Sequence, residues 1–310
     1  MKLNNPLPKI RAIGVAVILC ACAVTSSQAG VFTSLDPALF YTVLALDGNV
    51  QQSGPTPPSG QNQNNIQGNI GVASPGFKYQ GSGSVNDPGE FDIHTGSTFS
   101  TSSSGTTGPL MQGPAIDARL ENARTAAINT SSFYAGQTPN ASYGNLSGNF
   151  TISQGTVGNY IFNVAGINLS GNDTITLSAP TGSTFVLNVS GSFQLSGSTH
   201  ISLAGGLTAA DVLYNVLGTG NVAFSGGGNS SGIDGILLAI NRDVMLSPVL
   251  INGAVIAKDI NMSSGASVLG VVPEMNAGLM IPGLVGLMLL ASSRRLLKRK
   301  DDREEAPQSL

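Results

Sequence analysis

The stretch Gly232–Gly270, GIDGILLAINRDVMLSPVLINGAVIAKDINMSSGASVLG, constrains the fold more than any other part of the chain. It is a series of very short apolar runs, Ile236–Ile240, Val244–Leu246, Gly253–Ala257 and Ile260–Met262, each closed by Gly, Asn, Asp, Ser or Pro. A helix would repeat apolar residues at i, i+3, i+4 and i+7 over ten or more positions, and no such register persists. Short runs punctuated by turn formers suit one face of a β-coil before the chain turns a corner. One edge of a β-sandwich would show the same local pattern.

The stretch before it carries a recurrence. An apolar residue followed by Ser-Gly appears at Leu146, Leu169, Val189, Leu195 and Phe224, at steps of 23, 20, 6 and 29 residues. The apolar side chain faces a core, and Ser-Gly supplies a corner that needs φ > 0. Steps near one coil length are the sign of stacked repeats. Between the copies, Thr174–Leu177, Thr184–Val189 and His200–Leu203 show the alternation of half-buried strands.

Pro114–Ile128 (PAIDARLENARTAAI) is the one convincing helix of the body. Pro114 suits a first turn, and Ile116, Leu120, Ala123 and Ala127 share a narrow, Ala-rich face that fits flat against a β-surface. A helix on a mixed α+β domain is the alternative. Nearer the start, Asp36 and Pro37 predict a capped turn leading into a strand over Tyr41–Ala45. Gly54–Asn65 is a polar, Pro-bearing loop, and the Gly/Ser/Thr-rich stretch Phe77–Gly108 predicts loosely wound coils or loops.

Both ends carry targeting patterns. Lys2, Lys9 and Arg11, the apolar run Ala12–Val24 and the small residues Ser27 and Ala29 make residues 1–29 a secretory signal peptide. A run of about 13 apolar residues is too short to span a bilayer; a lipoprotein variant ending at Cys22 stays open. The chain's two cysteines, Cys20 and Cys22, lie inside this segment, so the mature body has no disulfide, thiol nucleophile or thiolate metal site. The roughly 240 residues that follow suffice for one large core or one solenoid.

Between Gly30 and Val272 five basic residues face twelve acidic ones, a balance of −7, which argues against a nucleic-acid partner. Gly, Ser, Asn and Thr stand where Lys and Glu usually cover a surface, which suits hydrogen bonding to sugars or ordered water. At the far end, 277–293 is apolar and just long enough to span a membrane. The cluster Arg294, Arg295, Lys298, Arg299 and Lys300 would keep the acidic tail 301–310 cytoplasmic. A buried core helix is the alternative for 277–293.

Two resemblances attach to these residues. Val212–Val216 followed by Gly235–Ala239 and Gly253–Lys258 is similar to the end of ice-binding-like β-solenoid proteins and of bacterial choice-of-anchor A surface proteins. Leu35–Leu46 and Ile66–Ala73 resemble the opening of the same two groups. The ending over 272–300, with Val272, Pro273 and Glu274, a span and an Arg-rich end, resembles the PEP-CTERM sorting signal. It departs from that signal in having Met275 in place of the second proline and in its acidic tail. The resemblances imply an all-β fold with one accessory helix. They specify a right-handed β-solenoid over 30–271, continuous or discontinuous, with the helix 114–128 packed alongside and a C-terminal transmembrane helix. They also imply an exosortase-type enzyme as partner and a place at the cell envelope or surface, anchored through 277–293 or released.

Catalytic constellations are scarce. Asp87, Glu90, Asp92 and His94 could hold a hard or borderline cation, against the alternative of a turn with solvated acids. Gly228–Gly232 matches G-x-S-x-G, but a glycine run precedes it and a β-run follows, whereas a nucleophile elbow needs strand then helix. No catalytic residue and no cofactor is assigned. The reading is a non-enzymatic cell-surface or matrix protein that presents a β-solenoid for adhesion or polysaccharide contact. Ice binding is the second reading, with Thr174 and Thr176 as a candidate outward row. A β-helical glycosidase or lyase comes last, because the chain has no Trp to serve as a stacking platform.

Overall fold

The structure is a computed structural model that describes residues 32–53, 65–81, 84–86, 89–101, 108–227 and 231–270. The signal segment 1–29, the loop 54–64, Asp87, the motif Val272–Glu274, the span 277–293, the basic cluster and the tail lie outside the described residues.

The described residues hold 21 strands in one sheet, and every pairing is parallel. That rules out an antiparallel sandwich. Consecutive strands lie on different sides, and each pairs with the strand one coil away, as in Phe185 with Val212 and Leu213 with Ile236. The result is a three-sided solenoid. Side A runs in stack order through Ala141–Leu146, Asn159–Leu169, Thr184–Val189, Val212–Val216 and the middles of Gly232–Ser247 and Leu250–Ser263. It continues through Tyr41–Ala45, Asn69–Val72, Phe91–Ile93 and Leu110–Met111. Side B holds the ends of Ala141–Leu146 and Asn159–Leu169, then Phe193–Gly197, Val222–Gly226, the ends of the two long strands, Val50–Ser53, Lys78–Gly81 and Thr98–Thr101. Side C holds Phe150–Ser153, Thr174–Ser178, His200–Ala204, the starts of the two long strands, Ser267–Leu269, Asn65–Gln67 and Ser84–Asn86.

The stack is discontinuous in sequence. Val43 pairs with Val255 on one side and Ile70 on the other, so the first coil of the chain is laid on its last. The coils over 41–111 then build outward. Helix α2 (Pro114–Ala135), the second helix after the short α1 (Asp36–Leu39), carries the chain back to the opposite end. This explains why it outruns the predicted end at Ile128. Its 22 residues span roughly 33 Å, about seven coils at a strand spacing of about 4.8 Å. The added segment, NTSSFYA, has poor helix propensity, and contacts to side A hold it instead.

Two apolar cores follow from this arrangement. One fills the solenoid, with Val43, Tyr79, Phe91, Phe162, Phe185, Tyr214 and Phe224 among its members. The other lies between side A and α2, where Tyr41, Leu44, Leu213, Ile236, Leu238 and Ile256 meet Leu120, Ala123 and Ala127. Side A is therefore buried on both faces, and its strands YTVLA and TFVLNV are buried at every position, where the sequence predicted half-buried alternation for both. Sides B and C keep the alternation.

Three further expectations are corrected. Asp36 opens α1 but makes no capping hydrogen bond, because Leu35 holds the N-cap position. The short runs of Gly232–Gly270 are not separate strands: Gly232–Ser247 and Leu250–Ser263 each bend around two corners without losing pairing, apart from a register shift between Ala239 and Asp243. The described parts of Phe77–Gly108 are not loose, since Lys78–Gly81, Phe91–Ile93 and Thr98–Thr101 are paired coil strands around a cluster of Tyr79, Phe91 and Phe99.

Candidate binding sides

The rank of side A under α2 changes chemistry along the helix. Neighbouring strands place Asn163, Asn188, Asn215, Leu238, Ile256, Leu44, Gly71 and Asp92 in one line. At one end the asparagines form a ladder: Asn215 donates to Asn188 (2.8 Å) and to the Ser131 carbonyl (3.0 Å), and Asn188 donates to the Tyr134 carbonyl (2.9 Å). Ser131 returns a hydroxyl donation to Asn215 at 2.6 Å. At the other end the fully buried Asp92 accepts from Tyr41 (2.6 Å) and Arg119 (2.7 Å), and Arg119 also pairs with Glu90 at 2.7 Å. Burial raises the Asp92 pKa, against the pull of Tyr41 and Arg119. Between these two ends side A is given over to holding the helix.

The candidate cation residues separate accordingly. Glu90 and Asp92 share Arg119, whereas His94 rests its Nδ1 2.6 Å from the Thr95 carbonyl and 3.8 Å from Asp117. Among the described residues no three His, Cys, Asp or Glu side chains gather to hold a metal. Of the G-x-S-x-G match, 228–230 lie outside the described residues, and Gly232 opens a strand.

Side C carries Thr174 and Thr176. Thr176 lies between Thr151 and Ser202, and Thr174 lies beside His200. The hydroxyl row lasts three coils and then meets Asp234 and Asn252. Asp234 stands 3.4 Å from His200 Nε2 and accepts from Asn252 at 2.6 Å. Burial works against the Asp234 carboxylate, but His200 and Asn252 hold it below the usual range. An interrupted, charged side is a poor template for a regular lattice.

Side B is more uniform. One outward rank reads Asn168, Gln194, Ala223, Met245, Asn261, Gln51, Gln80 and Ser100 in stack order. A second, two residues along each strand, contains Ser196, Ser225 and Ser247, and further up the stack Ser263 beside Ser53. None of these side chains is charged, and they are half-buried or exposed. Ser196 and Ser225 come from the recurring Ser-Gly phrase: after Leu195 and Phe224, which are buried, the serine and its glycine end the side B strand at the corner. The Val189 copy marks the corner before side B instead, which accounts for the six-residue step. Across three neighbouring coils the side dips into a groove of about 350 Å³, lined by Asn168 and Ser170, by Gln194 and Ser196, and at one end by Ala223 and Ser225.

A family model described as an ice-binding-like adhesive domain matches residues 30–268. The chain belongs to this family. Among solved structures, an ice-binding protein (LeIBP) from an Arctic yeast matches with a TM-score of 0.52 at 18% identity, covering 76% of this chain and 93% of that one. An ice-binding protein from an Antarctic Flavobacteriaceae bacterium matches with a TM-score of 0.51 at 16% identity over 76% of this chain and 46% of that one. At such identities the likeness is one of fold. No curated protein matches. In this adhesive domain the side B ranks were not singled out from sequence as a surface. The Ser-Gly recurrence was their visible trace, but it reads as corner chemistry until the coil register is known.

Proposed function

We propose that this domain is an exported, non-enzymatic surface or matrix module that holds to neutral, hydroxyl-rich surfaces through side B, without a cofactor. The observation that carries the reading is the pair of uncharged amide and hydroxyl ranks on side B, set on a rigid sheet. Preorganised hydrogen-bonding groups on strands lose little entropy on binding. Membership in an ice-binding-like adhesive family agrees with it. The C-terminal 272–300, with its resemblance to a sorting signal and its basic end, would tether or release the domain at the envelope. Among the described residues no helix is long and apolar enough to cross a membrane, so that part of the reading rests on 277–293.

The test is retention of the full chain on polysaccharide-coated surfaces. Lysine placed on side B (Ser247→Lys with Asn261→Lys) should abolish retention, whereas Ser202→Lys on side C should leave it. The opposite pattern would move the contact to side C. Ice binding is the second reading, favoured by the serine rank. Thermal hysteresis lost in the side B variant and kept in the side C variant would promote it.

A further inference from the structure

We propose that the groove between Asn168 and Ala223 is a subsite for one pyranose unit of a neutral, equatorially linked polysaccharide chain that lies along the stack axis. The inference rests on side B being the contact surface and names its ligand. Three observations carry it. The first is shape: a hollow of about 350 Å³ runs over three coils, from Asn168 and Ser170 past Gln194 and Ser196 to Ser225 and Ala223, the smallest residue of its rank, which keeps that end open. Such a depression admits a ring and breaks the plane that an ice lattice would require.

The second is the hydrogen-bond polarity of the walls. Ser196 donates its hydroxyl to the Leu169 carbonyl at 3.2 Å, and Ser225 donates to the Leu195 carbonyl at 3.4 Å. Both therefore present oxygen lone pairs as acceptors. Asn168 Oδ1 accepts from Ser192 at 2.9 Å, which leaves its amide N–H groups as donors. Fixed acceptors beside fixed donors match a hydroxyl, which is both at once. The third is charge: no ionised side chain lines the groove, so nothing there recognises a phosphate, sulfate or uronate, or holds a cation.

Beyond Met245 the amide rank resumes through Asn261, Gln51 and Gln80, and the serine rank runs on through Ser247 and Ser263, at the strand spacing of about 4.8 Å, close to the rise per unit of an extended chain of equatorially linked sugars. The groove has no aromatic floor, so single units bind weakly and length supplies the affinity.

The experiment titrates the full chain with cellohexaose and chitohexaose, and with the corresponding disaccharides, by ¹H–¹⁵N NMR. Binding to at least one hexasaccharide should be stronger than to its disaccharide by about tenfold or more. Ala223→Gln, which fills an outward hollow, should weaken it about tenfold while the melting temperature stays unchanged. Ser196→Ala with Ser225→Ala serves as a second variant that keeps the backbone shape. No binding of either hexasaccharide, or equal binding by Ala223→Gln, overturns the proposal. If retention through side B persists in that case, the surface reading survives and only the groove is lost; if both fail, both fall. Loss of ice-recrystallisation inhibition in Ala223→Gln without any saccharide binding makes water the occupant and also overturns it.

Discussion

Asn49 donates its backbone N–H to Asp259 at 2.8 Å and its side-chain amide to the same oxygen at 3.1 Å, across 210 residues of sequence. Its own Oδ1 accepts from the Lys78 N–H at 3.0 Å. One side chain thus ties the last coil of the chain to its first and second, where no covalent link crosses. Asn49→Ala removes two of these bonds and should cost about 1–3 kcal/mol. Urea denaturation would show this as a lower midpoint with an unchanged slope. A changed slope would mean instead that the two stacks part independently.

The coil chemistry was legible in sequence, but the stacking order was not. Short apolar runs at Ile236–Ile240 and Ile260–Met262, and buried apolar residues before Ser-Gly at Leu169 and Leu195, announce strands and corners because local side-chain alternation encodes them. Nothing local announces that Val43 lies beside Val255, since apolar β-branched residues fit any neighbouring coil of the interior. Thr174 and Thr176 were visible as an outward pair, yet their rank is decided by Thr151, Ser202 and Asp234 on other coils. The fate of Glu90 and Asp92 was equally hidden, because Arg119 reaches them from α2.

Asn215 tests what fastens the helix. Leucine has a similar volume and would extend the apolar rank of Leu238 and Ile256. Asn215→Leu should nevertheless destabilise by about 2–3 kcal/mol, because the buried Ser131 carbonyl and hydroxyl lose their partner. Hydrogen exchange should quicken at residues 131–135 and change little near Leu120, which the apolar layer holds. Uniform quickening along α2 would assign the docking to the whole layer.

Arg242 is buried without an acidic partner among the described residues. Its guanidinium donates to the Gly191 carbonyl (2.6 Å), the Ser190 carbonyl (3.0 Å) and the Leu217 carbonyl, clamping three corner carbonyls beside the register shift. Arg242→Met keeps the aliphatic packing and removes every donor. A loss of about 2–3 kcal/mol is expected, with Arg242→Lys intermediate. Equal stability of all three would show that water replaces the clamp.

Removing 277–310 tests the tether. If 277–293 anchors the domain, the shortened chain should appear in the medium instead of the envelope, with its fold unchanged. Changing Pro273 and Glu274 together to Ala should block processing and leave insertion intact. Envelope retention of the shortened chain would defeat the anchor reading, and normal processing of the double variant would leave only a plain anchor.

Asp234 gives side C an acid-dependent contribution with a defined sign. Burial raises its pKa, but the hydrogen bonds from His200 and Asn252 outweigh that and depress it below the unfolded value of about 3.9. A depressed carboxylate pKa means that the unfolded chain takes up the proton first as pH falls. The stabilisation is therefore complete above about pH 5 and disappears as pH drops through the folded value. Melting temperatures of the wild type and Asp234→Asn should differ at about pH 5 and converge once the pH lies below the folded value. Asp234 is about one-fifth exposed, 22% for its side chain, so solvent screens the pair and the gap should be small. A gap that persists unchanged however far the pH is lowered within the folded range would mean that Asp234→Asn acts through packing and not through charge. That outcome would remove the His200–Asp234 pair as the source of acid sensitivity on this side.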